Sequence, residues 1–137
     1  MVPLFLLAIT IVGLISSIRS LFMTKVSKKQ YISIENVVLL FLVYVTVLIG
    51  FGIIYMVLDL NNFPVLNEDG LPVSGVFTER LESTMYFSAI TLLSVGYGDI
   101  TPIGVGRWIA IVEALIGYTI PMAFVVKTVI NIERNES

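Results

Sequence analysis

The 137-residue chain contains no cysteine and no histidine. The first absence excludes a disulfide framework, thiolate metal sites and thiol chemistry. The second removes the commonest general base and metal ligand, so an enzyme mechanism has little to stand on. Charge is scarce as well: Asp, Glu, Lys and Arg make up 13% of the chain, against about a quarter in an ordinary soluble domain. A net charge of −2 gives no electrostatic case for nucleic acid. No internal repeat, low-complexity tract or second soluble domain is visible. Apolar residues fill 57% of the chain instead, which points to a lipid bilayer rather than a globular core.

The apolar residues come in runs. Val2–Ile18 is broken only by Thr10, Ser16 and Ser17 and sits at the short end of what crosses a bilayer. It reads as a retained N-terminal span (residues 1–24), because no positive charge precedes it and no cleavage pattern follows. A basic linker (25–36) comes next, where Lys25, Lys28 and Lys29 join Arg19 against Glu35. Basic residues beside span ends favour the cytoplasm, so the N-terminus is expected outside. Val37–Leu58 holds no charge for 22 residues, with Gly50 and Gly52 inside it as close-packing positions. Asn61–Phe77 carries Asn, Gly and Pro turn signals and reads as an exposed outer loop. Trp108–Val126 is the last span, interrupted by Glu113. The polar tail, 131–137, then falls in the cytoplasm, in keeping with Lys127 and Arg134. Trp108 reads as an interfacial anchor and the lone Arg19 as a topology signal rather than a voltage sensor.

Between the last two spans lies a different kind of segment. Thr78 is suited to cap a helix, with Glu79 and Glu82 in its first turn. The apolar helix that follows, to Leu93, is about 20 Å long, too short to span. It leads into "SVGYGD", residues 94–99. A half-length helix followed by glycines reads as re-entrant, and non-helical backbone at membrane depth survives only where it is buried in protein or lines a water-filled path. Gly96 and Gly98 alternate with Val95 and Tyr97. Glycine takes positive φ without a Cβ penalty, so the alternation lets successive carbonyls face one side, as a binder of dehydrated cations requires.

Ser94, Val95, Gly96, Tyr97 and Gly98 resemble the Thr-Val-Gly-Tyr-Gly selectivity filter of potassium channels. "STMYFSAITLL" resembles the pore helix, and "TPIGVGRWIAIVEALIGYTIP" the start of the inner helix. The resemblance covers about residues 37–130. It implies an all-α membrane protein: a tetrameric potassium channel pore of outer helix, re-entrant pore helix and filter, and inner helix, with an additional N-terminal transmembrane helix. It implies K+ as the bound species at Ser94, Val95, Gly96 and Tyr97, a homotetramer in the bilayer of a prokaryotic plasma membrane, and no enzyme activity. Ser94 and Leu93 stand where the family usually has threonines, and Ile90 where some relatives carry a glutamate. Asp99, lacking that glutamate, is expected to meet the Tyr86 hydroxyl.

Three further residues carry expectations. Glu113, an acid inside a span, is costly there. It reads as a support of the filter, facing the pore helix and bonded to its backbone, Ser88 or Thr91, with ion contact or proton sensing as the alternatives. Pro121 removes the bond that the Gly117 carbonyl would accept, so Gly117 and Pro121 read as a gating hinge at the cytoplasmic half of the inner helix. Tyr118, Pro121, Val125 and Val129 are expected to face the pore, making a hydrophobic gate. No regulatory domain is identifiable, and the stimulus is left open. The alternatives are a pore module cut from a voltage-gated potassium channel, a weakly selective cation channel, an ion-translocating uptake subunit, and a structural membrane protein. Tyr97 argues against weak selectivity and a single filter against the uptake subunit.

Overall fold

The computed structural model describes residues 2–23 and 34–136. The lysines at 25, 28 and 29 lie outside the described residues, as do the side chains of Lys127, Val129 and Arg134. The chain is mostly helical. Its elements are α1 (Val2–Met23), α2 (Ile34–Leu60), β1 (Leu66–Glu68), β2 (Leu71–Pro72), α3 (Phe77–Leu92), β3 (Ile100–Pro102) and α4 (Gly106–Glu136). Two stretches, Val37–Leu60 and Gly106–Val126, are helical, long and apolar enough to cross a membrane. In α1 the stretch Leu7–Ser17 meets that apolar standard over a shorter length.

The uncharged run from Val37 became α2 because nothing in it breaks a helix, and Asp59 and Asn61 close its C-terminal end. There the Asn61 amide donates to the carbonyl of Val57 at 2.6 Å. Four buried positions of α2, Val43, Val47, Phe51 and Tyr55, recur every four residues, one helical stripe. This stripe meets Phe87, Ile90 and Leu92 of α3 in one cluster. The rings of Tyr55 and Phe87 cross edge to face, 5.2 Å apart at 82°. The other side of α2 carries α1, while α4 packs mainly on α3.

In hydrocarbon the hydrophobic effect does not drive helices together, so close approach and polar contacts must. The two glycines of α2 serve that approach. A Cβ at Gly50 would lie 2.7 Å from Leu14 of α1, and one at Gly52 would lie 2.5 Å from the sulfur of Met85 on α3. Gly50 and Gly52 thus seat two different helices on opposite sides of α2.

Three sequence expectations are corrected. The fold is not purely α: the segments after α2 and before α4 form a small antiparallel sheet, in the order β2-β1-β3. Segment 61–77 is therefore not simply an exposed loop, since Val65, Leu66 and Val73 are buried. Leu66, Asn67 and Glu68 pair with Pro102, Thr101 and Ile100. Helix α3 also starts earlier than a Thr78 cap would set it. Val76 is the cap residue, and Glu79 reaches back to its backbone N–H at 3.1 Å. That interaction places Thr78 inside the first turn and Glu82 beyond it.

Candidate functional site: the glycine loop and its supports

The loop Leu93–Asp99 leaves the C-terminal end of α3. Leu93 donates its N–H to the carbonyl of Ala89 and Ser94 donates to Thr91, both at 3.0 Å. The next two amides turn back to one acceptor: Val95 and Gly96 both donate to the carbonyl of Ile90, at 2.8 and 3.2 Å. The N–H edge of the loop is thus held against its own helix.

The backbone alternates in hand. Ser94, Gly96 and Gly98 have φ of 56°, 59° and 84°, while Val95 and Tyr97 between them are not in the positive region. Strict alternation of right- and left-handed residues turns successive amides the same way. N–H groups gather on one edge and carbonyls on the other. The amides of Val95 and Gly96 are the ones held on α3. Ser94 adopts a left-handed conformation without being glycine, a position that costs a side chain about 1–2 kcal/mol. Val95 and Tyr97 are left uncovered, Tyr97 at 74% exposure. The loop also lies at the negative end of the α3 dipole, which favours a cation nearby.

Beyond the glycines, the chain enters β3. Its first anchor is Asp99, whose Oδ2 accepts the Tyr86 hydroxyl at 2.6 Å. The pairing expected from the sequence is therefore present. That hydroxyl holds the Asp99 carboxyl below the usual aspartate value, and donating to it pushes the Tyr86 phenol up to about 12. Nearby, an outer hollow of about 510 Å³ is lined by Glu68, Glu79 and Glu82, with Ser83, Tyr86 and Ile100. Among the described residues no cluster of acids is arranged to ligate a metal ion.

Glu113 projects from α4 into the back of α3. It is fully buried, as is Ser88. Ser88 Oγ lies 2.5 Å from its Oε1. Sequence reasoning named that serine but missed Tyr55, whose Oη donates to the other carboxyl oxygen at 2.8 Å. The contact joins α2, α3 and α4 through Tyr55, Ser88 and Glu113.

Gly117 and Pro121 lie on one continuous helix, α4. The carbonyl freed by Pro121 is not idle. Tyr44 Oη of α2 donates to it at 2.7 Å, a partner the sequence reading also missed. Gly117 has a second role, because a Cβ there would run into the backbone carbonyl of Leu92. Of the expected pore-facing stripe, Tyr118, Pro121 and Val125 are exposed in the single chain, and the Val129 side chain lies outside the described residues. A signal for both missed tyrosines did exist. A hydroxyl in an uncharged span needs an acceptor, and positions 44 and 55 are about three turns apart on one face.

Residues 42–134, which take in most of α2, all of α3 and the glycine loop, and nearly all of α4, match the family model described as "Ion channel". The chain belongs to the ion channel family. This agrees with its resemblance to potassium-channel pores. The chain is 45% identical to Protein LctB of Bacillus caldotenax over 123 residues, covering 90% of this chain and 92% of that protein. It is 43% identical to Protein LctB of Geobacillus stearothermophilus over 121 residues, 88% and 90% of the two chains. No solved structure gives a significant match. Family membership and two membrane-capable helices make this a membrane protein of ion transport, a class that moves ions rather than transforming substrates.

Proposed function

We propose that the chain is the subunit of a potassium-selective channel. Four copies surround one pore, and K+ passes down its gradient through rings of carbonyl oxygen contributed by Ser94, Val95, Gly96 and Tyr97. Gly98 ends that row, and Asp99 with Tyr86 braces it. Potassium is the cargo of this site. An ion sheds water on entering, finds carbonyls in its place, and is displaced by the next ion in file.

The observation that carries this reading is the alternation of backbone hand at Ser94, Gly96 and Gly98, with the amides of Val95 and Gly96 tied back to Ile90. One such loop offers one carbonyl edge, and an ion in place of water needs oxygens all round. Four copies supply them. The exposure of Val95 and Tyr97 in the single chain supports the same assembly, since neighbouring copies would cover them. The acids around the outer hollow raise the local cation concentration at the mouth.

The gate belongs to the cytoplasmic half of α4, with Gly117 and Pro121 as its hinge and Tyr118, Pro121, Val125 and Val129 as a hydrophobic pore-facing stripe. Helix α1 is an additional N-terminal span seated on α2. The N-terminus lies outside and the C-terminus in the cytoplasm, as Arg19 and the lysines after it require. The bacterial relatives support a prokaryotic plasma membrane.

The test is flux through vesicles reconstituted with the full chain. A barium-blockable K+ current that excludes Na+, from a particle that cross-links to four copies, is the expected result. Equal Na+ and K+ permeability would reduce the reading to a cation channel, and a monomer without flux would end it.

A further inference from the structure

Three helices meet in a group of oxygens whose hydrogens can be counted. Tyr55 of α2, Ser88 of α3 and Glu113 of α4 are each 0% exposed. Tyr55 Oη lies 2.8 Å from Oε2 of Glu113. Ser88 Oγ lies 2.5 Å from Oε1 of Glu113 and 2.9 Å from the carbonyl oxygen of Leu48. These make three oxygen–oxygen contacts. A tyrosine hydroxyl brings one hydrogen and a serine hydroxyl one; a carboxylate and a carbonyl bring none.

An ionised Glu113 therefore leaves one of the three contacts without a hydrogen. Either Ser88 turns to Glu113 and faces the Leu48 oxygen with a lone pair, or it turns to Leu48 and faces a carboxylate. Either way two buried oxygens face each other at close range with no hydrogen between them, which is unfavourable. A hydrogen on Oε1 removes the deficit. Tyr55 then donates to Oε2, the acid hydrogen goes to Ser88 Oγ, and Ser88 donates to Leu48. The group becomes a closed chain of donors and acceptors from α2 through α4 and α3 back to α2.

Among the described residues, no cationic side chain is in contact with the Glu113 carboxyl. On α2 the nearest charged side chain is Asp59, one turn outward of Tyr55, already paired with Arg80 of α3 at 2.6 Å. On α3 the next acid, Glu82, lies six residues before Ser88, and on α4 Arg107 lies six before Glu113. Glu82 and Arg107 are thus more than a helical turn away along their own helices. Tyr55 is the titratable group in contact with the carboxyl.

We propose that Glu113 is carried as a neutral carboxylic acid, and that this proton-bearing side chain is the positioning residue fixing α3, and hence the glycine loop, between the outer and inner helices. It touches no ion. It acts through Ser88, which sits six residues before the loop's first left-handed residue. The positioning half rests on the channel reading; the protonation half does not.

The test uses the full chain in lipid vesicles near neutral pH, with Glu113→Gln, Glu113→Ala and Tyr55→Phe. Glutamine copies the neutral acid: its amide donates to Ser88 and its carbonyl accepts from Tyr55. Infrared difference spectra between the parent and Glu113→Gln should show a protonated carboxyl C=O stretch that only the parent has. A carboxylate band in its place overturns the proposal. The K+ over Na+ flux ratio should stay within about twofold of the parent in Glu113→Gln and fall by about tenfold in Glu113→Ala, with Tyr55→Phe between them, as loss of buried partners predicts. A glutamine variant as poor as the alanine variant overturns the positioning role, even if the alanine protein fails to assemble and only Glu113→Gln can be compared with the parent. A parent that folds but carries no K+ overturns the channel reading and the positioning role with it, while the infrared band still decides the proton.

Discussion

The hydroxyl of Tyr44 on the outer helix donates to the main-chain carbonyl of Gly117 on the inner helix at 2.7 Å. Four residues on, Pro121 supplies no N–H for that oxygen. The proline thus creates a vacancy within one helix that a neighbouring helix fills. A freed carbonyl next to a glycine suggests a loose joint, but the bond makes it a joint with a catch.

Tyr44→Phe removes the catch and nothing else in volume. Stability of the assembled protein should fall by about 1 kcal/mol, and the inner helix should interconvert more readily between bent and straight forms. Thermal unfolding reads the first and single-channel dwell times the second. Dwell times identical to the parent would leave the hydroxyl a packing detail.

Gly117→Ala should fail for a reason separate from hinge freedom. Its Cβ meets the Leu92 backbone carbonyl, which has no rotamer to give. Overpacking of that kind costs about 1–3 kcal/mol. Gly13→Ala on α1, whose Cβ would meet nothing within 4 Å, is the control and should be neutral or slightly stabilising. Equal melting temperatures for the two variants would refute the close approach of α4 to the end of α3.

The Tyr86–Asp99 contact has a defined pH window. The Asp99 carboxyl is held below its ordinary value of 3.8 by the Tyr86 hydroxyl. Its contribution is therefore complete above that ordinary value and disappears as pH falls through the lowered one. The Tyr86 phenol is raised from 10.0 to about 12 by the same bond. That contribution is complete below the ordinary tyrosine range and drains away as pH climbs through about 12. Stability of the parent over Tyr86→Phe should hence be a plateau across neutral pH that closes at both ends. A difference that persists unchanged into strong acid would show that the hydroxyl contributes independently of the charge on Asp99.

At the outer end, Arg80 Nη1 meets Asp59 Oδ2 at 2.6 Å, with the aspartate side chain only 7% exposed and the arginine 27%. Arg80→Met keeps the apolar stem and strands the acid. Loss of a charged hydrogen bond at this partly open site should cost about 2 kcal/mol. Restoring neutrality with Asp59→Asn in the same chain should recover part of it, and denaturation of the two variants in lipid decides whether it does.

The spans were legible because an uncharged run of 22 residues, Val37–Leu58, has one physical reading. The glycine loop was legible because glycines ruin a membrane helix, so their presence needs a reason. The Glu113–Ser88 contact was legible for a similar reason: a buried acid must find a hydroxyl, and few lie in reach. The two tyrosines of α2 were not. In a greasy helix a tyrosine looks like core, and which neighbour it serves depends on how three helices cross. The sheet escaped as well. Two- and three-residue strands such as Leu71–Pro72 and Ile100–Pro102 carry no periodicity, and their pairing is fixed by tertiary register. Val76 as a cap was hidden because the side chain that closes the turn belongs to Glu79.

Strand β3 begins two residues after Gly98 and is stitched by main-chain bonds to the segment after α2, where Ile103 also donates to the Val65 carbonyl at 2.8 Å. Such stitching uses no side chain. Substitutions among solvent-facing residues of the outer connection can accumulate without disturbing the mouth, provided the spacing from Val65 to Glu68 is kept. A single inserted residue there would slip the seam and drag the glycine loop with it.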